Sequence, residues 1–175
     1  MQQPTLTTER LYLRPFNLDD AARVQRLAGD SRIADATSTI PHPYPDGAAE
    51  AWISTHQRSF ESRHGAIFAV TLLSTAQLVG AVSLINVSLA DKRAKLGYWV
   101  GVEFWRLGLC SEASRRLIAY SADSWGISRF VAKCLSRNPA PARVMEKVGM
   151  LREGRLLRIL VCLTTCAGNR LAPLS

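Results

Sequence analysis

The sequence predicts a mixed α/β domain: a mostly antiparallel central sheet flanked by about four helices. Three observations carry this. The apolar runs AIFAVTLL, LVGAVSLINV and AKLGYWVGV, between residues 66 and 102, are joined by polar stretches too short for crossovers, so they form an antiparallel meander. A strand, a helix and a strand then follow one another within about 40 residues, a unit that makes its two strands parallel. Capped helical patterns stand before and after these runs.

Taken in order, residues 5–14 (TLTTERLYLR) alternate at Leu11 and Leu13 and read as a strand that Pro15 ends. Asn17 stands as N-cap before LDDAARVQRLAG, with Asp19 and Asp20 in the first turn and Gly29 at the close. Residues 40–47 (IPHPYPDG) hold three prolines and a glycine and form a loop. A second helix is predicted from Ala48 to about Arg63. The meander follows as Ala66–Leu73, Leu78–Val87 and Ala94–Val102, with Gly80 weakening the middle strand and Leu96, Tyr98 and Val100 sharing one face. After a loop at residues 103–110 comes a helix from Ser111, read as its N-cap, to Trp125, closed by Gly126. Arg129–Leu135 is a strand. Asn138-Pro139 then caps a helix running to Gly149.

At 175 residues the chain suits one domain, 1–175, large enough to bury a full core without disulfides. A 47% hydrophobic and 21% charged composition argues against disorder. No apolar run reaches the ~18 residues of a membrane span. The N-terminus has no apolar signal core, so the expected location is cytoplasmic. Cys110, Cys134, Cys162 and Cys166 show no CxxC and no accompanying histidine. Reduced thiols, and no metal, are expected. The net charge of +8 is carried by 18 arginines against 4 lysines. It suits a phosphate-rich ligand or ribosome association, but no basic run or aromatic interleaving marks a nucleic-acid platform.

The most informative segment is residues 99–113, WVGVEFWRLGLCSEA, where a strand ends in a glycine-containing turn and a helix follows at once. Backbone amides at a helix N-terminus lack partners and point outward, making an anion site. Gly108 would let a phosphate approach the backbone. No GK[ST] and no GxGxxG is present, so this is neither a Walker loop nor a dinucleotide fingerprint.

Four segments, in order over roughly residues 5–155, resemble the GNAT superfamily of acetyl-CoA-dependent N-acetyltransferases, and most closely its RimJ/RimL-like branch. They are LTTERLYLRPFNLDDA, LVGAVSLINV, LGYWVGVEFWRLGLCSEA and CLSRNPAPARVMEKVGM. The resemblance implies a sheet of six or seven strands that splays at the cofactor strand, here Leu96–Val102. It implies that backbone groups of Val100, Gly101 and Val102 meet the pantetheine arm, and that Trp105, Arg106, Leu107, Gly108, Leu109, Cys110 and Ser111 form the pyrophosphate loop. It implies that Asn138 contacts the arm near the sulfur, a role compatible with a helix N-cap. No metal is implied, and homodimers are common in the family.

The chain also departs from that pattern. Arg106 stands where the branch usually has Gly, and Cys110 replaces a final Gly or Ala. Met145 occupies the position of a Tyr that protonates the departing thiolate in many relatives, and a thioether donates no proton. The family's closing strand hairpin is not evident. Leu156–Leu163 reads as a single strand and Thr164–Ser175 as an atypical, frayed end.

The implied reaction is direct attack of a neutral amine on the thioester of acetyl-CoA in a ternary complex. The acceptor is a protein N-terminal α-amine of ribosomal-protein type, or a small amine. A catalytically impaired acyl-CoA-binding module is the alternative. Glu103, just past the splay, is the candidate base through a water, against a surface or capping role. His42, Tyr44 and His56 are candidates for acceptor recognition, and Trp52, Trp99 and Trp125 for core or groove wall.

Overall fold

The structure, a computed structural model, describes residues 2–37, 39–156 and 159–165. Its eight strands form one sheet: β1 (Leu6–Thr7), β2 (Leu11–Arg14), β3 (Ala66–Leu72), β4 (Leu78–Ser88), β5 (Arg93–Val100), β6 (Arg129–Leu135), β7 (Leu151–Leu156) and β8 (Ile159–Thr165). Their spatial order is β1-β2-β3-β4-β5-β6-β8-β7. The meander β3-β4-β5 is antiparallel, and β5 and β6, joined through a helix, are parallel.

The helices are α1 (Ala21–Ala28), α2 (Ser31–Ala36), α3 (Ala48–Ser54), α4 (His56–Glu61), α5 (Leu109–Trp125) and α6 (Pro139–Lys147). Asn17 caps the entry to α1 as expected, accepting from the Asp20 amide in a capping box. The segment Ala48–Arg63 is not one helix. Thr55 interrupts it: its hydroxyl donates to the Trp52 carbonyl at 2.7 Å, and the Ser54 hydroxyl donates to that of Ala51 at 2.8 Å. Such back-bonds compete with the regular ladder. Helix α2, not foreseen from the sequence, is capped by Asp30, whose carboxylate accepts from the Arg32 amide.

Two further corrections concern the ends of the chain. Residues 5–14 split into the hairpin β1-β2, turned where the Thr8 amide donates to the Leu11 carbonyl. Leu156–Leu163 is not a single strand. β7 and β8 form an antiparallel hairpin, and β8 pairs with all of β6, from Arg129↔Thr165 to Leu135↔Ile159. β7 is an edge strand whose first four residues are exposed, Leu151 to 75%, so it lacks the alternation that marks a half-buried strand. Residues 166–175 lie outside the described residues.

One apolar cluster joins β2, β3, β4, β5 and β6 to α5 and α6 through residues such as Leu11, Phe68, Leu84, Leu117 and Phe130. A second gathers α1, α3, Ala69 and Leu78. With helices over both faces, β3 is buried for six consecutive residues. The feature that matters for function lies between β5 and β6. Their pairing covers only Arg93↔Arg129, Ala94↔Phe130 and Lys95↔Val131 and then stops, while β4 follows β5 on to Gly80↔Val100. From Leu96 onward, one edge of β5 is vacated.

Candidate active site

The vacated edge follows from chain geometry. Gly101 N–H donates to the Val79 carbonyl. By the alternation of an antiparallel ladder, Leu96, Tyr98 and Val100 are then the residues whose backbone groups face away from β4, toward the gap. Gly80 permits the close approach of the two strands: a Cβ there would collide with the Trp99 carbonyl oxygen and lie 2.7 Å from Val100 Cα. Beyond the strand, a 3₁₀ turn at Val102–Phe104 carries the chain round. The Gly101 and Val102 carbonyls accept from the Phe104 and Trp105 amides. The Trp105 indole donates to the Val100 carbonyl at 3.0 Å. Of the three residues assigned to the arm, Val100 faces the gap. Gly101 gives its N–H to β4 and its carbonyl to the turn, and the Val102 carbonyl is likewise taken up by the turn.

Helix α5 begins at Leu109, two residues before its expected start, and its N-cap is Gly108 at φ +80 rather than Ser111. A left-handed φ is open to glycine at little cost, so the turn can be tight here. The first helical bond runs from the Glu112 amide to the Gly108 carbonyl. Among the described residues nothing accepts from the amides of Arg106, Leu107, Gly108, Leu109, Cys110 or Ser111. This is a nest of donors at the positive end of a 17-residue helix. Cys110 within it is no nucleophile, since burial pushes its thiol up to about 12.

The loop is braced by residues that sequence reasoning missed. Glu112 accepts from the Thr8 hydroxyl at 2.6 Å, the Arg10 amide at 3.0 Å and Arg10 Nε at 2.7 Å, and Arg10 Nη1 donates to the Leu107 carbonyl at 3.1 Å. Partial burial alone would raise the Glu112 carboxyl, but these bonds outweigh it and hold the carboxyl below its ordinary value. The β1-β2 turn thus ties down the loop from about a hundred residues away, and no local pattern signals such a tie. Arg106 sits in the left-handed region at φ +66, which costs a side-chain-bearing residue about 1 kcal/mol. Arg106→Gly is therefore expected to raise the melting midpoint by a few degrees, allowing for glycine's greater freedom when unfolded. An unchanged or lower midpoint by calorimetry would show that the arginine side chain contributes more than the strain costs.

Glu103 lies on the 3₁₀ turn, half-exposed, with its carboxylate accepting from Arg23 Nη2 at 2.8 Å. It is not among the residues lining the main cavity. Asn138 caps α6, its side-chain oxygen accepting from the Ala140 amide at 3.1 Å.

A cavity of about 760 Å³ opens at the splay, floored by β4, β5 and β6 and walled by α1, the loop after α2, α3, α4 and α6. Tyr44, Trp52, His56, Tyr98 and Trp99 supply its aromatic wall, while Trp125 belongs to the core. Met145 lines it from α6 and is 2% exposed. His42 instead faces the Gly29 carbonyl, its Nδ1 3.1 Å away. His56 is 4% exposed, packed edge-on to Trp52 and Phe16, and neither ring nitrogen has a partner among the described residues. Burial lowers its pKa to about 4, so the imidazole is neutral near pH 7. No group of three or more potential metal ligands occurs among the described residues, and no helix there is long and apolar enough to cross a membrane.

The GNAT acetyltransferase domain matches residues 10–151. YdaF of Bacillus subtilis (strain 168), provisionally named as a ribosomal N-acetyltransferase, is 32% identical over 150 residues, 84% of this chain and 81% of that one. Among solved structures, RimL, a ribosomal L7/L12 α-N-protein acetyltransferase in complex with coenzyme A, superposes with a TM-score of 0.82 at 16% identity, covering 93% of this chain and 98% of its own. Spermidine N-acetyltransferase from Vibrio cholerae, in complex with CoA and spermine, gives 0.77 at 17% identity over 90% and 96%. The match over residues 10–151 and the kinship with YdaF establish that this chain belongs to the GNAT acetyltransferase family.

Proposed function

We propose that the chain binds acetyl-CoA along the start of α5 and the gap between β5 and β6, and transfers the acetyl group to a primary amine in the cavity. The observation that carries this reading is one continuous path: unpartnered amides at residues 106–111, the vacated edge of β5, then the cavity. Amides at a helix N-terminus suit a diphosphate. An unpaired strand edge suits the amides of a pantetheine arm, and its N–H groups are the donors on hand for the thioester oxygen as charge develops there. Asn138 belongs to the same proposal through the carboxamide at the head of α6.

The attacking amine must be neutral. An α-amine with a pKa near 8 meets that condition more readily than a lysine near 10.4. We take the acceptor to be a protein N-terminal α-amine of ribosomal-protein type, in keeping with the names of YdaF and RimL. The cavity supports a monoamine over a polyamine. Lys95 and Lys133 line it and none of the described lining residues is acidic, so a polycation meets no counter-charge from them. Glu103 enters only as a base linked by water, because its carboxylate is paired with Arg23 and does not line the cavity.

The test is acetyl-CoA titration by calorimetry, followed by CoA-thiol release with N-terminal peptides, small amines and spermidine. Peptides with a free α-amine are expected to exceed spermidine by at least about tenfold in kcat/KM, a margin of ~1.4 kcal/mol, and N-terminally blocked peptides to give nothing. A preference for spermidine would overturn the acceptor assignment. Absence of acetyl-CoA binding would overturn the assignment of the path.

A further inference from the structure

We infer that the Tyr98 hydroxyl delivers the proton taken up by the departing CoA thiolate, from strand β5 rather than from α6. The inference rests on the acetyl-transfer reading above. When the amine nitrogen bonds to the thioester carbon, the carbon–sulfur bond breaks and its electron pair leaves on sulfur. A positioned proton donor lowers that barrier.

Tyr98 lies on the stretch of β5 that β6 has abandoned, and it lines the cavity. Its hydroxyl crosses the gap, donating to the Pro141 carbonyl at 2.7 Å on the first turn of α6. Pro141 and Met145 are four residues apart, hence on one face of the helix, and both line the same cavity. A phenol O–H therefore stands one turn from the buried thioether, beside the turn that Asn138 caps. Other donors at this end are placed differently. Lys95 sits at the closed root of the gap, still opposite Val131. The Ser83 hydroxyl donates to the Gly97 carbonyl within the β4-β5 pair. Lys133 is exposed.

A phenol, ordinarily near pKa 10, carries its proton at neutral pH and is close enough to a thiol, near 8.5, to pass it on as the sulfur charge develops. The step balances. The Tyr98 Oη proton goes to sulfur, and the surplus proton of the attacking nitrogen goes to water. The phenolate regains a proton from solvent in the open cavity. Amine and thioester become amide and thiol.

The test is Tyr98→Phe, assayed beside the wild type with the best acceptor found. The expected result is a kcat lower by about 10²-fold, with acetyl-CoA affinity by calorimetry within about twofold. The alkaline fall in the wild-type kcat–pH profile should disappear, because the hydroxyl at position 98 is gone while Tyr44, the other phenol lining the cavity, is untouched. Adding Met145→Tyr to Tyr98→Phe returns a phenol to the α6 face and is expected to recover at least about tenfold. Should that double variant fold poorly, the pH profile of the single variant decides. An unchanged kcat in Tyr98→Phe overturns the inference. So does a loss of kcat matched by lost acetyl-CoA affinity with the alkaline limb intact, which would leave Tyr98 only a bridge across the gap. A wild-type chain that transfers acetyl to no amine overturns the transferase reading itself, a result distinct from a loss confined to the variant.

Discussion

Gly108→Trp is expected to lower acetyl-CoA affinity by at least about 100-fold, ~2.7 kcal/mol, while leaving the fold in place. Two effects combine. Gly108 holds φ +80, where a side chain is strained whatever the space, and the amides on either side of it form the donor nest. An indole there occupies the volume a diphosphate would take. The fold survives because a Cβ at this position has no non-neighbour closer than Arg10 Nη2 at 3.6 Å. Strain alone costs about 1–2 kcal/mol, which Gly108→Ala measures separately. Calorimetric titration gives the affinity. Thermal melting with ligand at about 100 times the wild-type dissociation constant should raise wild-type stability by ~2.7 kcal/mol and that of the Trp variant by no more than ~0.4 kcal/mol. Equal affinity in the two proteins would remove residues 105–111 from the cofactor path.

His56 is expected to make the protein acid-sensitive as the pH falls from about 6.5 toward 4. Its folded pKa is about 4 and its ordinary value 6.5, the cause being burial. Well above pH 6.5 the ring is neutral in both states and contributes no pH dependence. Below it the unfolded chain takes up a proton that the native ring refuses, so stability falls as pH drops from 6.5 toward 4. Between pH 7 and 4.5 the loss comes to about 2 kcal/mol. His56→Phe should abolish that slope. It should also stabilise the protein at pH 7 by about 1 kcal/mol, because two unpartnered buried nitrogens disappear and the ring stays between Trp52 and Phe16. Urea unfolding of both proteins across this range reads the difference directly. Parallel slopes would show that another group carries the acid limb.

Much of the frame is legible because its signals are local. The meander shows as three apolar runs with short joints, and the unit β5-α5-β6 shows in its spacing. Asn138-Pro139 and Asn17 act as the caps they look like. The start of α5 is misread because a serine is the better N-cap by preference, whereas Gly108 is chosen here for its left-handed backbone. The break at Thr55 turns on which carbonyl a hydroxyl finds, and helical periodicity does not register it. The hairpin β7-β8 escapes notice because an edge strand with an exposed face shows no alternation. The candidate site divides in the same way. Residues 105–111 announce themselves as a strand–turn–helix junction, but Arg10 and Glu112 meet only in the folded chain.

By itself, then, the sequence determined the order and type of the central elements, the place of the donor-rich turn and the absence of a proton donor at Met145. Each depends on the spacing and chemistry of residues close along the chain. Tertiary structure alone decided where β5 and β6 part, that Glu103 is held by Arg23, that His56 is stripped of water, and that the Tyr98 hydroxyl reaches Pro141 across the gap. Each of those depends on groups that lie far apart in sequence and meet only when the sheet closes around its two cores.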